Sequence, residues 1–448
     1  MTQGVSSARR VQDGLGLSPV AVAAVTRAVN LLLPRLLARA LIWLLLGARP
    51  LFTAARLQAW WREHLTCERP DRAAASQGAF LNRFMEQMLG SGSFATFAGH
   101  VARADRWRLA GQLEALSRVA LLGWARHFML ESRDGPPPLS EVWLASCARC
   151  DQSCAGCYSV SERVGEEPAR KRLSRLIDQA AWSGAAAVHV SGKGEPFLDE
   201  RHGLDLIELA RARPHLFFTV ATGGAHLTEA LARALARTPN AMCLVSVDGL
   251  AATHDARRGA GSFQKVCAAM RLLRERGAAF ACSSTVTAEN WAEVSSLEFV
   301  AQMRRAGCAM GVYSRFFALP PALHPSLRLA GDSRESFREA LARAQVGAGM
   351  PLLDLDDLEE RGGCRARAGL SVYVDGTTGL VAPCIRVPWA PASCRLAHGR
   401  AGGLDEVLRH PFFEEYRRGE CAKGSWCGSD LDAEQAAVAA RARSFAQQ

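Results

Sequence analysis

Lysine is nearly missing from this chain of 448 residues, in which 50 of the 54 basic side chains are arginine. An arginine excess of that size reflects the composition of the source genome, so isolated arginines are not read as functional signals. No cleaved secretory leader is expected either. The one strongly apolar stretch, residues 20–48, follows a polar Gly/Ser/Arg tail and is interrupted by Arg27, Arg35 and Arg39, which is the wrong place and the wrong pattern for such a leader. The same arginines leave no uncharged window of about 20 apolar residues, and this excludes a membrane span. Fourteen cysteines with no leader argue against a disulfide framework and for a reducing compartment, the cytoplasm. With 49% hydrophobic and 22% charged residues the chain is globular, and its length suits two or three domains.

The charge is unevenly spread. Residues 1–140 hold 17 arginines against 9 acidic residues, a balance of +8 within the total of +10. Such a basic third implies an anionic partner surface. On a helix advancing about 100° per residue, Arg27, Arg35, Arg39 and Arg49 share one arc of about 120°, and the rest of the circumference is apolar. Two readings stay open: an interfacial helix, broken or kinked at Pro34, lying on a membrane surface, or a buried helix packed on the rest of the protein. Helical patterns continue to residue 132, including Phe80–Met88 and Trp107–Leu130, and Asp134-Gly-Pro-Pro-Pro138 forms a stiff connector. An all-α N-terminal domain is therefore expected over 1–139.

After the connector, short apolar runs recur near Val142 and at 187–191, 216–221, 243–247, 279–286 and 310–316, with helical patterns at 169–183, 227–236, 263–276 and 291–305. Six βα repeats of roughly thirty residues predict an α/β fold, a partial (βα)6 TIM-like barrel over 140–330, whose active residues gather at the C-terminal ends of the strands. The loops at those ends are distinctive. The first holds Cys150, Cys154 and Cys157 in a C-x3-C-x2-C array beside Tyr158, the second reads Ser191-Gly192-Lys193-Gly194-Glu195-Pro196, and the third Thr222-Gly223-Gly224. The fourth reads Ser246-Val247-Asp248-Gly249 with Arg257, Arg258 and Gly259 after it, and the fifth leads to Thr287 and Asn290. Three thiolates on one loop suit an iron–sulfur cluster or zinc, and the missing fourth ligand leaves a position open for chemistry. Cys147 reads as a small residue closing the first strand. Cys67, Cys243, Cys267, Cys282 and Cys308 read as small buried hydrophobes.

The cysteine triad with Tyr158, the Gly-Glu-Pro one βα unit later and the Ser-x-Asp-Gly with its following Arg-Arg-Gly together resemble the radical S-adenosylmethionine (SAM) superfamily. The resemblance covers residues 140–430, and within it the run from Ser246 to Phe263 is similar to the branch with a cysteine-rich C-terminal extension of the SPASM or twitch type. In carrying a helical region ahead of the core the chain also resembles one bacterial group. The resemblance implies that Cys150, Cys154 and Cys157 hold a [4Fe-4S] cluster whose fourth iron is chelated by SAM. It implies that Glu195 with Gly192 and Gly194 meets the SAM amino group, that Ser246 and Arg258 meet ribose or carboxylate, that Tyr158 flanks the cluster, and that Asn290 is a further cofactor contact. An external electron donor is required. Two departures stand out: Lys193 splits a glycine pair that is normally adjacent, and Thr-Gly-Gly replaces Thr-Asn-Gly. Lys193 is read as a solvated loop residue, the alternative being a cation aimed at substrate.

Beyond 330 a small cysteine-rich extension with C-terminal helices is expected over 331–448. Cys364, the hairpin signal Val372–Gly376, Gly379-x4-Cys384, Cys421 and Cys427 resemble part of a SPASM or twitch domain holding one auxiliary [4Fe-4S] cluster, with Cys394 able to replace either late member. Zinc or free thiols remain the alternative there. The function expected is radical SAM chemistry on a lipid-like small molecule, suggested by the apolar and basic N-terminal region. The alternatives are a ribosomal peptide substrate and a non-enzymatic zinc or iron–sulfur protein. No nucleic-acid partner is expected.

Overall fold

The computed structural model describes residues 139–159, 167–319, 324–396, 403–419 and 431–445. The expected N-terminal domain with its apolar arginine-lined stretch, Cys67 and the Asp134–Pro138 connector lies outside the described residues.

The alternation of apolar runs and amphipathic helices builds the core. β1 (Glu141–Ala145) is followed by α1 (Arg170–Trp182), β2 (Ala187–Val190), α2 (Glu200–Arg211), β3 (Phe217–Thr222), α3 (Glu229–Ala236), β4 (Ala241–Ser246), α4 (Ala251–Arg258) and α5 (Ser262–Arg276). Then come β5 (Phe280–Val286), α6 (Trp291–Val294), α7 (Leu297–Ala306), β6 (Gly311–Arg315), α8 (Gly331–Ala348), β7 (Leu352–Asp354) and α9 (Leu355–Gly362). The chain continues through β8 (Ser371–Asp375), β9 (Val381–Ala382), α10 (Leu404–Leu408), α11 (Pro411–Arg418) and α12 (Leu431–Phe445). All six predicted strand runs are strands. The single helix expected at 291–305 is two, because Ser296 turns the chain and caps α7 by accepting from Phe299 N at 3.1 Å.

The nine strands form one open sheet in the order β7-β6-β5-β4-β3-β2-β1-β8-β9, parallel except for the β8–β9 hairpin. Strands from beyond residue 330 thus complete both edges: β7 extends the β6 side, and β8 lies parallel to β1, Glu141 opposite Ser371 and Ala145 opposite Asp375. The side-chain alternation of the strands divides the sheet. Val142, Leu144, Val188, Val190, Phe218, Val220, Cys243 and Val245 share one core with Leu173, Ile177, Ile207, Leu231, Leu273 and Phe299 of the helices. The intervening residues Trp143, His189, Met242, Leu244, Ser246 and Ser283 are half-buried on the opposite, inner face. Cys243, Cys282 and Cys308 are buried as expected, and Cys267 is half-buried on α5. No described helix is long and apolar enough to cross a membrane.

Candidate cofactor site

The parallel arrangement puts the loops after β1 to β5 at the same end of the sheet, and their hydrogen bonds interlock. The β1 loop begins with Cys147, which is buried and donates its thiol to Lys193 O at 3.5 Å. Burial, with Glu167 nearby, holds that thiol well above the usual thiol range, so Cys147 stays protonated and closes the strand, as read from the sequence. Cys150, Cys154 and Cys157 are half-exposed and form no disulfide, Cys150 Sγ accepting from Gln152 N at 3.4 Å and Cys157 Sγ lying 3.2 Å from Ser159 Oγ. Their loop is pinned on several sides. Glu195 N donates to Arg149 O at 2.8 Å, Ala155 N to Arg257 O at 2.8 Å, and Ala148 N and Arg149 N to Glu167 Oε1 at 3.2 and 2.9 Å. Asp151 pairs with His226 of the β3 loop at 2.7 Å. Gly156 has φ 69°, and a Cβ there would lie 2.6 Å from Leu327 Cδ1 and 2.7 Å from the Phe316 ring, so no side chain fits between the last two cysteines. Tyr158 bonds Ser191 through its hydroxyl and lies against Phe317, with ring centroids 4.6 Å apart; burial keeps the phenol protonated.

In the β2 loop, Gly192 and Gly194 have φ 123° and 67°. Glu195 is buried, and its carboxylate accepts from Phe197 N at 3.1 Å, Thr222 Oγ1 at 2.6 Å and Gly223 N at 2.6 Å. Burial raises its pKa, and those three donors offset part of the rise. The Thr-Gly-Gly loop thus holds Glu195, a role that its motif alone does not announce. The reading of Lys193 as solvated is overturned: it is 4% exposed, and its Nζ meets Asp375 Oδ2 at 2.6 Å.

Asp248 organises the β4 loop. It is fully buried, its Oδ2 is shared by Arg257 Nη1 and by Arg258 Nε at 2.5 Å, and its Oδ1 accepts from Thr285 N at 2.8 Å. Burial alone would raise its pKa, but the two guanidinium groups hold it well below the carboxylate range. Cys154 feels the same two guanidinium groups with the opposite net outcome: burial raises its thiol pKa by more than Arg258 and Arg257 lower it. Arg258 therefore stands beside the cysteine loop. Ser246 is half-buried at the inner end of β4. The side chain of Asn290 is turned inward, its Oδ1 accepting from Thr287 N at 2.7 Å and its Nδ2 donating to Asp248 O at 3.0 Å and Thr285 O at 2.9 Å. It braces the β4 and β5 loops against each other. Asp248 was legible only as part of a motif; an aspartate after a strand with two arginines nine and ten positions on is the pattern that marks it.

The C-terminal cysteines are placed differently. Cys364, just past α9, is 5% exposed, and Cys394 is fully buried in the main core, its thiol pushed up to about 12 by burial. Cys384 is half-buried beyond β9 and accepts from Arg386 N at 3.3 Å. Cys421 and Cys427 lie outside the described residues.

Among the described residues no three His, Cys, Asp or Glu side chains are gathered for a single metal ion. An iron–sulfur cluster asks for less crowding, since each thiolate binds a different iron. The donor set fits it: three half-exposed thiols outside any disulfide share one glycine-bearing loop, and Arg258 and Arg257 oppose the rise that burial gives the Cys154 thiol.

Residues 145–300 match the Radical SAM superfamily, a span from the last residue of β1 into α7 that includes all five loops described above. Residues 145–300 therefore form a Radical SAM domain. Over 169 residues it is 30% identical to the pre-heme d1 synthase of Dinoroseobacter shibae, 36% of this chain and 40% of that one. Over 154 residues it is 30% identical to the AdoMet-dependent heme synthase of Methanosarcina barkeri, 33% of this chain and 43% of that one. The chain thus spans less than half the length of these curated relatives. In fold it is similar to SuiB of Streptococcus suis, with TM-score 0.53 at 13% identity over 77% of this chain and 85% of that one. SuiB bound to its precursor peptide SuiA gives 0.52 at 13% identity over 72% and 75%.

Proposed function

We propose that this protein is a radical SAM enzyme in which Cys150, Cys154 and Cys157 hold a [4Fe-4S] cluster and the loops after β2, β4 and β5 hold SAM. The observation that carries this reading is the interlocking of the half-exposed cysteine loop with Glu195 on one side and Arg257 and Arg258 on the other. When bound and reduced by an external donor, cluster and SAM together supply a 5′-deoxyadenosyl radical that takes a hydrogen atom from a substrate carbon. The chain's own residues bind and orient. Glu195 accepts an ammonium, Arg258 offers a guanidinium to a carboxylate, Ser246 offers a hydroxyl to the ribose, and Tyr158 with Phe317 shields the cysteine loop. Asn290 and Asp248 hold the loops that carry these groups.

For the substrate, the inner face of the sheet offers a polar cluster around the start of β1 beside the apolar Trp143, Met242 and Leu244. There His189 Nε2 meets Glu141 Oε2 at 3.1 Å, its Nδ1 meets Thr219 Oγ1 at 2.8 Å, and Arg365 pairs with Glu141 at 2.6 Å. A tetrapyrrole, as the names of the curated relatives suggest, or a peptide, as SuiB binds, is compatible with such a lining. An auxiliary cluster at Cys364, Cys384, Cys421 and Cys427 and cytoplasmic, membrane-surface residence through residues 20–48 complete the proposal. Anaerobic reconstitution tests it. Iron and sulfide at four or eight per chain with deoxyadenosine released from SAM under reduction is the expected result, and zinc with no SAM cleavage would overturn it.

A further inference from the structure

The loop after β2 departs from the superfamily pattern at one residue, and the structure gives that residue a partner. Lys193 separates Gly192 from Gly194, and a cation there would ordinarily reach for solvent. Instead its side chain is 3% exposed and spans 182 positions of sequence to a side chain 6% exposed, that of Asp375 at the end of β8. The backbone around it is fixed. A Cβ on Gly194 would come within 2.6 Å of Arg149 O and Cys147 Sγ, and one on Gly192 within 3.0 Å of the Tyr373 ring, so the loop is clamped between the cysteine loop and β8.

Asp375 is equally constrained. Its Oδ1 accepts from Thr377 N at 2.9 Å and Thr377 Oγ1 at 2.6 Å, and its Oδ2 accepts from Thr378 Oγ1 at 2.7 Å as well as from Lys193. The next residue, Gly376, donates to Ala145 O at 2.9 Å, and a Cβ on it would lie 2.4 Å from that oxygen. The ion pair therefore joins two rigid pieces: the loop that ends in Glu195, and the hairpin turn that leads through β9 to Cys384.

We propose that Lys193 and Asp375 are a positioning pair, through which the C-terminal hairpin sets the Gly192–Glu195 loop for the amino group of SAM. This rests on the cofactor reading given under Proposed function. A buried ion pair contributes little net stability over an apolar pair of the same shape, so its use here points to fixing register. Because coupling between sites is reciprocal, SAM in its loop steadies the hairpin as much as the hairpin steadies the loop.

The test uses the full-length reconstituted protein with the variants Lys193→Met, Asp375→Asn and the double variant. Three quantities are read: thermal midpoint, SAM affinity by equilibrium dialysis, and the change that SAM makes in the electron paramagnetic resonance spectrum of the reduced cluster. Each single variant leaves one buried charge unpaired and lowers the midpoint, and the double variant recovers most of it. SAM affinity falls by about tenfold in all three, the double included, with a weakened spectral change at a SAM level that saturates the unaltered protein. Recovery of SAM affinity together with the midpoint in the double variant would show a merely structural pair and overturn the proposal, as would unchanged affinity throughout. Failure of the unaltered protein to bind SAM would instead remove the cofactor reading and this proposal with it.

Discussion

The cysteines at 150, 154 and 157 and those at 364, 384 and 394 are equally rich in sulfur and opposite in setting. The first three are half-exposed on one loop that neighbouring loops grip through its backbone, with cations at its flank. Of the later three, Cys364 and Cys394 are members of the hydrophobic core, and Cys384 packs against it. Holding the backbone and leaving the sulfurs accessible is how a chain prepares ligands; packing the sulfur itself is how it uses cysteine as a small apolar residue. The later set straddles the two uses, because Cys384 accepts a backbone N–H from Arg386 as a thiolate ligand commonly does.

The widest gap between the two sets is expected on substitution. Cys154→Ala should abolish deoxyadenosine formation and the loop cluster's iron with the circular dichroism of the fold unchanged, whereas Cys394→Ala should keep the iron and cost about 1 kcal/mol in urea unfolding. Iron lost from Cys394→Ala would move that residue from core to ligand. Next in size is the support of the loop set: Asp248→Asn leaves two guanidinium groups around a neutral amide and should cost roughly 3–5 kcal/mol in the same measurement. An effect under about 1 kcal/mol would show those charges to be solvated.

The third concerns the segment bearing Cys364. Its neighbour Arg365 is tied to Glu141, whose pKa burial would raise but which Arg365, and then His189, bring down from 4.5 to about 2. With the folded value below the unfolded one, the stabilisation is fully present above pH 4.5 and is lost as pH falls through about 2. It amounts to roughly 3 kcal/mol. Glu141→Gln should flatten the fall in urea midpoint between pH 5 and 2.5, and an unchanged slope would remove Glu141 as its source.

Local pattern made much of this legible. Strands such as β5 carry an apolar period and end in a turn, so the order of their loops follows from local pattern alone. The α2 helix, which the βα repeat implies without bounds of its own, has a readable N-cap in Asp199, accepting from His202 N at 2.9 Å. β7 is three buried residues with no period to detect. The pairing of β8 with β1 and the burial of Lys193 against Asp375 are contacts between distant parts of the chain, and nothing local to either partner announces them. Asn290 is a cofactor contact only by what the resemblance implies, and the bonds of its side chain depend on Thr285 and on the distant Asp248.

The place of β8 has a consequence for how the protein is made. β1 receives its second neighbour only when the chain around Leu370 arrives, 230 positions after Ser140. At about 5–20 residues per second, a ribosome leaves the strand that carries the cluster loop with a bare edge for roughly 10–50 s. An unpaired parallel edge invites pairing with another chain. A fragment ending at residue 330 would keep that edge permanently, and it should be recovered as aggregate where the full chain is soluble.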